Sequence, residues 1–250
     1  MTGPAVTGPA VREPAVKRRP RLYFSFRSPY SWLTVRRLRE VVPDLGEAME
    51  CIPYWDPDEQ TGAALTRRGG EFHYVQMSRA KHLYMLMDTK RLAQRYGIAM
   101  AWPVDVDSWW ELPHLAWLYA RREGRAWDFY DAVVAARWGR GDDICQPDVV
   151  RAAAKQAGLD PELAVAAPDD PSIREEAADC LYLAYLDDIF GIPYLKWGRH
   201  RFWGLDRLDA FLDTWLPTRQ AATTGDPDSM PGELHDSTNA YDTDTPGGCG

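Results

Sequence analysis

The amino-acid sequence predicts an α/β fold interrupted by a large α-helical insertion, and three observations carry that prediction. An aromatic, alternating stretch at residues 21–26 runs into a helix start and then into a second alternating stretch, giving strand, helix, strand. A run from about residue 72 to 165 then places apolar residues at three- and four-residue steps and is punctuated by glycines. The chain closes on a helix, two short strands and a last helix.

The individual elements follow in order. Residues 2–16 read TGPAV, TGPAV, REPAV, whose prolines and glycines forbid a packed element, so 1–20 is expected to be a disordered arm. Its basic run, Lys17 to Arg21, is read as a solvated entrance to the first strand rather than a nuclear signal. RLYFSF (21–26) is the first strand. Ser28 followed by Pro29 is a helix start, a hydroxyl cap and then a proline at the first helical position. Trp32, Leu33, Val35 and Leu38 give that helix an apolar stripe to lay on a sheet. MECIPYW (49–55) is a second strand, ending in the turn-prone Asp56-Pro57-Asp58.

Helices are then predicted over 78–97, 112–124, 127–139 and 147–158, each closed by glycine, with Tyr84, Met85 and Leu92 read as packing residues. A further helix covers 171–191, IPYLKWG and HRFWG form a pair of strands about a tight turn, and LDRLDAFLDTWL (205–216) is the final helix. Residues 217–250 are polar, acidic and rich in glycine and proline, so they cannot bury enough apolar surface to offset chain entropy. They are expected to be a disordered tail that carries a bystander thiol, Cys249. One ordered domain over 21–216, with the insertion at about 72–165, is a thioredoxin-like layout interrupted in its middle. It should bring the first strand–helix junction near Gly191-Ile192-Pro193.

Composition narrows the function. A chain of 250 residues that is 45% hydrophobic can bury a full core. A net charge of −8 without a clustered basic face argues against nucleic acid as a partner. Four scattered cysteines supply no C-x-x-C pair and no metal-ligand spacing, so no metal is expected and a reducing cytoplasm fits. No segment offers the roughly 18 apolar residues of a membrane span. The expectation is a soluble cytoplasmic protein acting on a small molecule.

Four pieces in order, YFSFRSPYSWL (23–33), AKHLYMLMDTKRLAQRYGI (80–98), GIP (191–193) and FWGLDRL (202–208), span nearly the whole ordered chain. Together they resemble the DsbA-like thioredoxin branch that contains the 2-hydroxychromene-2-carboxylate isomerases and kappa-class glutathione transferases. In the redox branch a cysteine pair opens the first helix. In this branch a serine stands there, and the resemblance implies that the reactive sulfur arrives with a low-molecular-weight thiol, glutathione or an analogue such as mycothiol. Ser28 is then the catalytic residue, a hydrogen-bond donor to the thiolate. A helix amino terminus favours an anion, and one more donor would draw a thiol pKa of about 8.5 toward neutrality. The same Ser28 serves equally well as a plain helix cap.

By the same resemblance Tyr30 and Ser31 support the site from the first turn, and Pro193 is the cis proline of the fold, with Ile192 offering backbone groups to the thiol as a strand edge does. Asp206 would meet the amino group of a γ-glutamyl arm or simply compensate the helix dipole. Lys81, in the pattern Lys81-x-x-Tyr84, would pair with a carboxylate or stand as an ordinary exposed lysine. Two positions depart from the family pattern. Leu205, beside Asp206, replaces a hydroxyl or amide residue that would also bind the cofactor, and Tyr194 replaces a small residue and would narrow the groove. Trp55, with Glu111 and His114 three residues apart on one helix face, completes a candidate substrate pocket, the last two as an acid and base or as a satisfied structural pair. The implied activity is cis/trans isomerisation of a conjugated, aromatic or polyketide-like molecule, in a homodimer. A transferase that leaves the thiol on its substrate and a catalytically silent binding protein are the alternatives.

Overall fold

The computed structural model describes residues 19–73 and 77–224. Strand β1 (Arg21–Phe24) leads into α1 (Pro29–Val41), a short α2 (Leu45–Ala48), β2 (Glu50–Pro53) and α3 (Glu59–Arg67). The insertion holds α4 (Arg79–Arg95), α5 (Glu111–Arg122), α6 (Ala126–Val134), α7 (Pro147–Gln156) and α8 (Pro161–Val165). Helix α9 (Pro171–Leu186), strands β3 (Tyr194–Trp197) and β4 (His200–Trp203), and α10 (Leu208–Thr224) complete it.

The strands form one mixed sheet in the order β2-β1-β3-β4, with β1 parallel to β2 and antiparallel to β3. β3 and β4 make the expected hairpin, turned at Gly198, whose φ of 57° suits a residue without a Cβ. Tyr23 pairs with Tyr194, and continuing this register sets Pro193 opposite Phe24. The end of β1 and the second proline-bearing junction are therefore neighbours, as the element order predicts.

The core explains why the insertion stays attached to the sheet. Phe24, at the end of β1, meets Trp117 of α5 edge-on at 5.2 Å and Tyr130 of α6 at 5.7 Å, and Phe26 lies 5.4 Å from Tyr130. All four are buried, and aromatic pairs of this kind add about 0.5–1.5 kcal/mol each beyond their area. On the other side, Asp187 at the end of α9 accepts hydrogen bonds from Tyr23 (2.6 Å) and Arg21 (2.8 Å) of β1 and from Lys196 of β3.

Several expectations change. Helix α3 is not among the predicted elements: Asp58, read as a turn after β2, is its cap, accepting the Thr61 N–H at 2.9 Å. The helix expected over 127–139 is α6 followed by a π-helical stretch, Ala135–Arg140, which ends at Gly141 with φ 78° rather than at Gly139. Tyr84 is exposed, and only Thr89 and Ala93 of α4 are buried, so the stripe of Tyr84, Met85 and Leu92 is not a core stripe. From Ala210 the chain forms a second compact unit, helical through Pro217 as far as Thr224. Residues 217–224 are thus helix rather than tail: Arg219, Gln220 and two alanines favour a helix, and Pro217 forgoes one backbone bond without ending it. Residues 1–18 and 225–250, with Cys249, lie outside the described residues. Among the described residues no helix is long and apolar enough to cross a membrane.

Candidate active site

The site is built at the turn between β1 and α1. Ser28 is the cap of α1, with extended backbone (φ −93°, ψ 119°), and its Oγ accepts the Ser31 N–H at 3.1 Å. Pro29 has no N–H, and the Trp32 N–H goes to the Ser28 carbonyl at 3.1 Å. The Tyr30 N–H has no partner among the described residues, and the first turn holds no acidic side chain. The positive end of the helix is therefore left for an incoming anion. The cap uses a lone pair of the Ser28 hydroxyl and leaves its proton to donate, so capping and thiolate binding are compatible at one atom.

Ser31 is buried and braces the turn, its Oγ accepting the Ser25 N–H at 3.3 Å. The Tyr30 hydroxyl donates to Asp88 at 2.8 Å, stapling α1 to α4; burial first and then Asp88 raise its pKa, so it stays protonated. The Ile192–Pro193 bond is cis, and the backbone N–H and C=O of Ile192 have no partner among the described residues. Trp203 covers the preceding Gly191 so closely that a Cβ there would sit 2.7 Å from its indole nitrogen, and Lys81 lies 6.0 Å above the Trp203 ring. Lys81 is exposed, with no carboxylate partner among the described residues. The 3₁₀ turn Leu205–Arg207 packs on α1, carrying an exposed Asp206 paired, among the described residues, with its neighbour Arg207 at 2.8 Å.

Five expectations are corrected here. Leu205 is buried and offers the groove no side-chain surface, as an apolar residue in a tight turn does. Tyr194 is buried too, edge-on to Phe190 at 5.6 Å, and so does not narrow the groove. Trp55, Glu111 and His114 do not line an open pocket, because α5 is buried from Glu111 to Leu118. Trp55 stacks on His114 at 5.1 Å. Glu111 accepts the Asp58 N–H at 2.8 Å and lies 3.5 Å from Arg174, while burial pushes its carboxyl up to about 7. His114 is buried and held neutral, its pKa lowered to about 3 chiefly by that burial.

The raised Glu111 pKa has a definite sign in the stability curve. The folded state keeps a proton that the unfolded chain releases near about 4.3, so this contribution is full below that pH and is lost as pH rises through 7. Glu111→Gln is neutral throughout. Between about pH 5 and 8 the wild type is expected to lose on the order of 2 kcal/mol more than this variant, as read by denaturant melts.

The sequence reading passes over Arg27, immediately before Ser28. It is half in solvent, ion-paired with Asp56, and its guanidinium lies 5.5 Å over the Trp110 ring. A charged residue at the end of an otherwise apolar strand is the signal that points to it. The described cysteines, Cys51, Cys145 and Cys180, are buried, with thiols pushed up to about 12 by burial. Among the described residues there is therefore no ready protein nucleophile of sulfur, and no cluster that would hold a metal.

Residues 21–215 match the DSBA-like thioredoxin domain family. The chain is 30% identical over 197 residues to a 2-hydroxychromene-2-carboxylate isomerase of Sphingobium xenophagum, covering 78% of this chain and 95% of that protein. It is 26% identical over 187 residues to one of Pseudomonas putida, covering 74% and 88%. A solved structure of a 2-hydroxychromene-2-carboxylate isomerase superposes with a TM-score of 0.63 at 22% identity, over 82% of this chain and 98% of the other.

Proposed function

The chain belongs to the DSBA-like thioredoxin domain family, on the branch of the 2-hydroxychromene-2-carboxylate isomerases, and from that premise we propose that it is a thiol-dependent cis/trans isomerase of a conjugated aromatic carboxylate or ketone. One observation carries the reading. A serine hydroxyl with a spare proton stands at a helix amino terminus with no acidic side chain in its first turn, the strand before it lies opposite a proline junction whose Ile192 backbone groups have no partner among the described residues, and the described cysteines are all inert.

The residues present fit a small thiol of the glutathione kind. The Ile192 N–H and C=O would hold its peptide as an added strand, Lys81 would take a carboxylate, and Asp206 would exchange Arg207 for an ammonium group. Such a thiol would supply a nucleophilic sulfur for reversible addition to a conjugated double bond. Ser28 would donate a hydrogen bond to an ionised sulfur, and the Tyr30 N–H, without a partner among the described residues, would add a second fixed dipole. The Ser31 N–H occupies a lone pair of the Ser28 Oγ and leaves its proton free to donate. Arg27, next to Ser28 in the chain and half in solvent, places a cation beside the turn, chemistry that suits a conjugated anion.

A panel of glutathione, mycothiol and bacillithiol tests this by thermal shift. At about 100 times Kd the true cofactor stabilises by about 2.7 kcal/mol, a rise of several degrees. No rise with any of them would leave only a binding protein. With the cofactor bound, a cis-enone acid should isomerise without consuming thiol; stoichiometric consumption would make the protein a transferase.

A further inference from the structure

We propose that His114 is a positioning residue for Ser28: from inside the helical insertion its imidazole fixes the β1–α1 turn and so sets the aim of the serine hydroxyl. The inference rests on the thiol-activation reading above and names a residue that reading does not use.

The hydrogen bonds form one connected set. The His114 Nδ1 lies 2.7 Å from the Trp110 carbonyl, which places the ring proton on Nδ1 and leaves Nε2 an acceptor. Nε2 takes the Phe26 N–H at 3.2 Å and the Ser25 hydroxyl at 3.1 Å. That hydroxyl accepts the Arg27 N–H at 3.2 Å, and the Ser25 carbonyl accepts the Ser28 N–H at 3.2 Å. Ser25 N–H donates to Ser31 Oγ, and Ser31 N–H donates to Ser28 Oγ. Every backbone N–H from Ser25 to Ser28 is thereby used, and the path from the imidazole to the catalytic oxygen runs through Ser25 and Ser31.

The imidazole itself cannot swing. It is fully buried, stacked on Trp55 and 5.3 Å from the Phe26 ring. Its partners lie 88 and 89 residues away in sequence, so it is a tether between the insertion and the sheet domain as well as an acceptor. An apolar ring of the same shape would fill the space and stack, but would leave the Phe26 N–H buried without a partner, free to twist the turn. Placement to within about half an ångström is what a hydrogen bond to a thiolate requires.

His114→Phe keeps the stack and removes the acceptor; His114→Gln restores an acceptor at the Nε2 position. With glutathione bound, or whichever panel thiol shifts the midpoint, the ultraviolet thiolate band is titrated and Kd measured. His114→Phe is expected to raise the bound thiol's pKa by about one unit, a roughly tenfold loss of thiolate at neutral pH, with Kd unchanged. His114→Gln should return most of it. A purely structural histidine would move Kd, midpoint and thiolate fraction together, and a wild-type thiolate fraction in His114→Phe would overturn the inference.

Amide exchange separates this failure from failure of the thiol reading. If the wild type shows no thiolate band with any thiol, faster exchange at Phe26, Ser28 and Ser31 in His114→Phe, restored in His114→Gln, still carries the positioning role; unchanged exchange refutes it. Should His114→Phe not fold, Ser25→Ala, which removes one donor to Nε2 and the acceptor of the Arg27 N–H and leaves the stack intact, must shift both readouts in the same direction. Wild-type behaviour in Ser25→Ala would then sink the proposal.

Discussion

Ser28→Ala is expected to lower kcat/KM for a cis-enone acid by about a hundredfold, while reducing stability by only about 1 kcal/mol. The two effects come from the two halves of one hydroxyl. Its lone pair caps the Ser31 N–H at 3.1 Å, and loss of a side-chain cap has the modest effect seen generally at helix starts. Its proton matters more, because a donor aimed at an anion in a partly closed site contributes as an oxyanion donor does. On the proposed mechanism the bound thiol's pKa should rise as turnover falls, because Ser28 would act by ionising it. Ser28→Thr keeps both halves and should retain most of the turnover. A variant with unchanged thiolate fraction but lost turnover would move Ser28 from thiol activation to substrate binding, and one with full turnover would remove it from the chemistry.

That site is legible in the sequence because its parts are local. Ser28-Pro29 after an aromatic strand is a helix start by residue type alone, and Pro193 before two short strands marks the second junction. The sheet order then brings them together, through the pairing of β1 with β3. What stays illegible is long-range burial. Glu111 and His114 read either as an acid and base or as a satisfied structural pair because polar residues three apart share a helix face, and with α5 buried along its first two turns there is no solvent face for the first alternative. Both side chains are polar because they serve backbone donors, Asp58 for Glu111 and Phe26 for His114. Pattern cannot show which distant N–H needs an acceptor. Helix α3 escapes the pattern for the reverse reason: Asp-Pro-Asp is turn chemistry, and only the Thr61 N–H bonded to Asp58 makes the second aspartate a cap. Leu205 reads as a groove residue through its neighbour Asp206, yet one of the pair is buried and the other exposed within a single 3₁₀ turn.

The largest stability effect is expected far from Ser28, at Asp187. Its side chain is 5% exposed and gathers Tyr23 at 2.6 Å, Arg21 at 2.8 Å and Lys196, tying the end of α9 to β1 and β3. Asp187→Ala removes the acceptor shared by two cations and a buried hydroxyl, leaving Arg21 with Glu50 at 3.0 Å and Tyr23 with only the Leu183 carbonyl at 3.5 Å, and a loss approaching the roughly 3–5 kcal/mol of a broken buried ion pair is expected. Asp187→Asn keeps an acceptor for Tyr23 but not the charge, and should fall between. Despite its burial the carboxyl titrates lower than an ordinary aspartate because Lys196, Tyr23 and Arg21 bond the charged form. Its stabilisation is therefore present above about pH 3.9 and lost as pH falls through the folded value, the opposite sign from Glu111. Denaturant melts at neutral and acid pH read this directly: the gap between wild type and Asp187→Ala should narrow toward low pH, whereas the gap between wild type and Glu111→Gln shifts between about pH 5 and 8. Because β1–β3 pairing also sets Pro193 beside Phe24, molecules of Asp187→Ala that remain folded should bind thiol with near wild-type affinity at low temperature. A neutral-pH loss below about 1 kcal/mol would show that this cluster behaves as an exposed ion pair, and that aromatic packing alone holds the sheet to its helices.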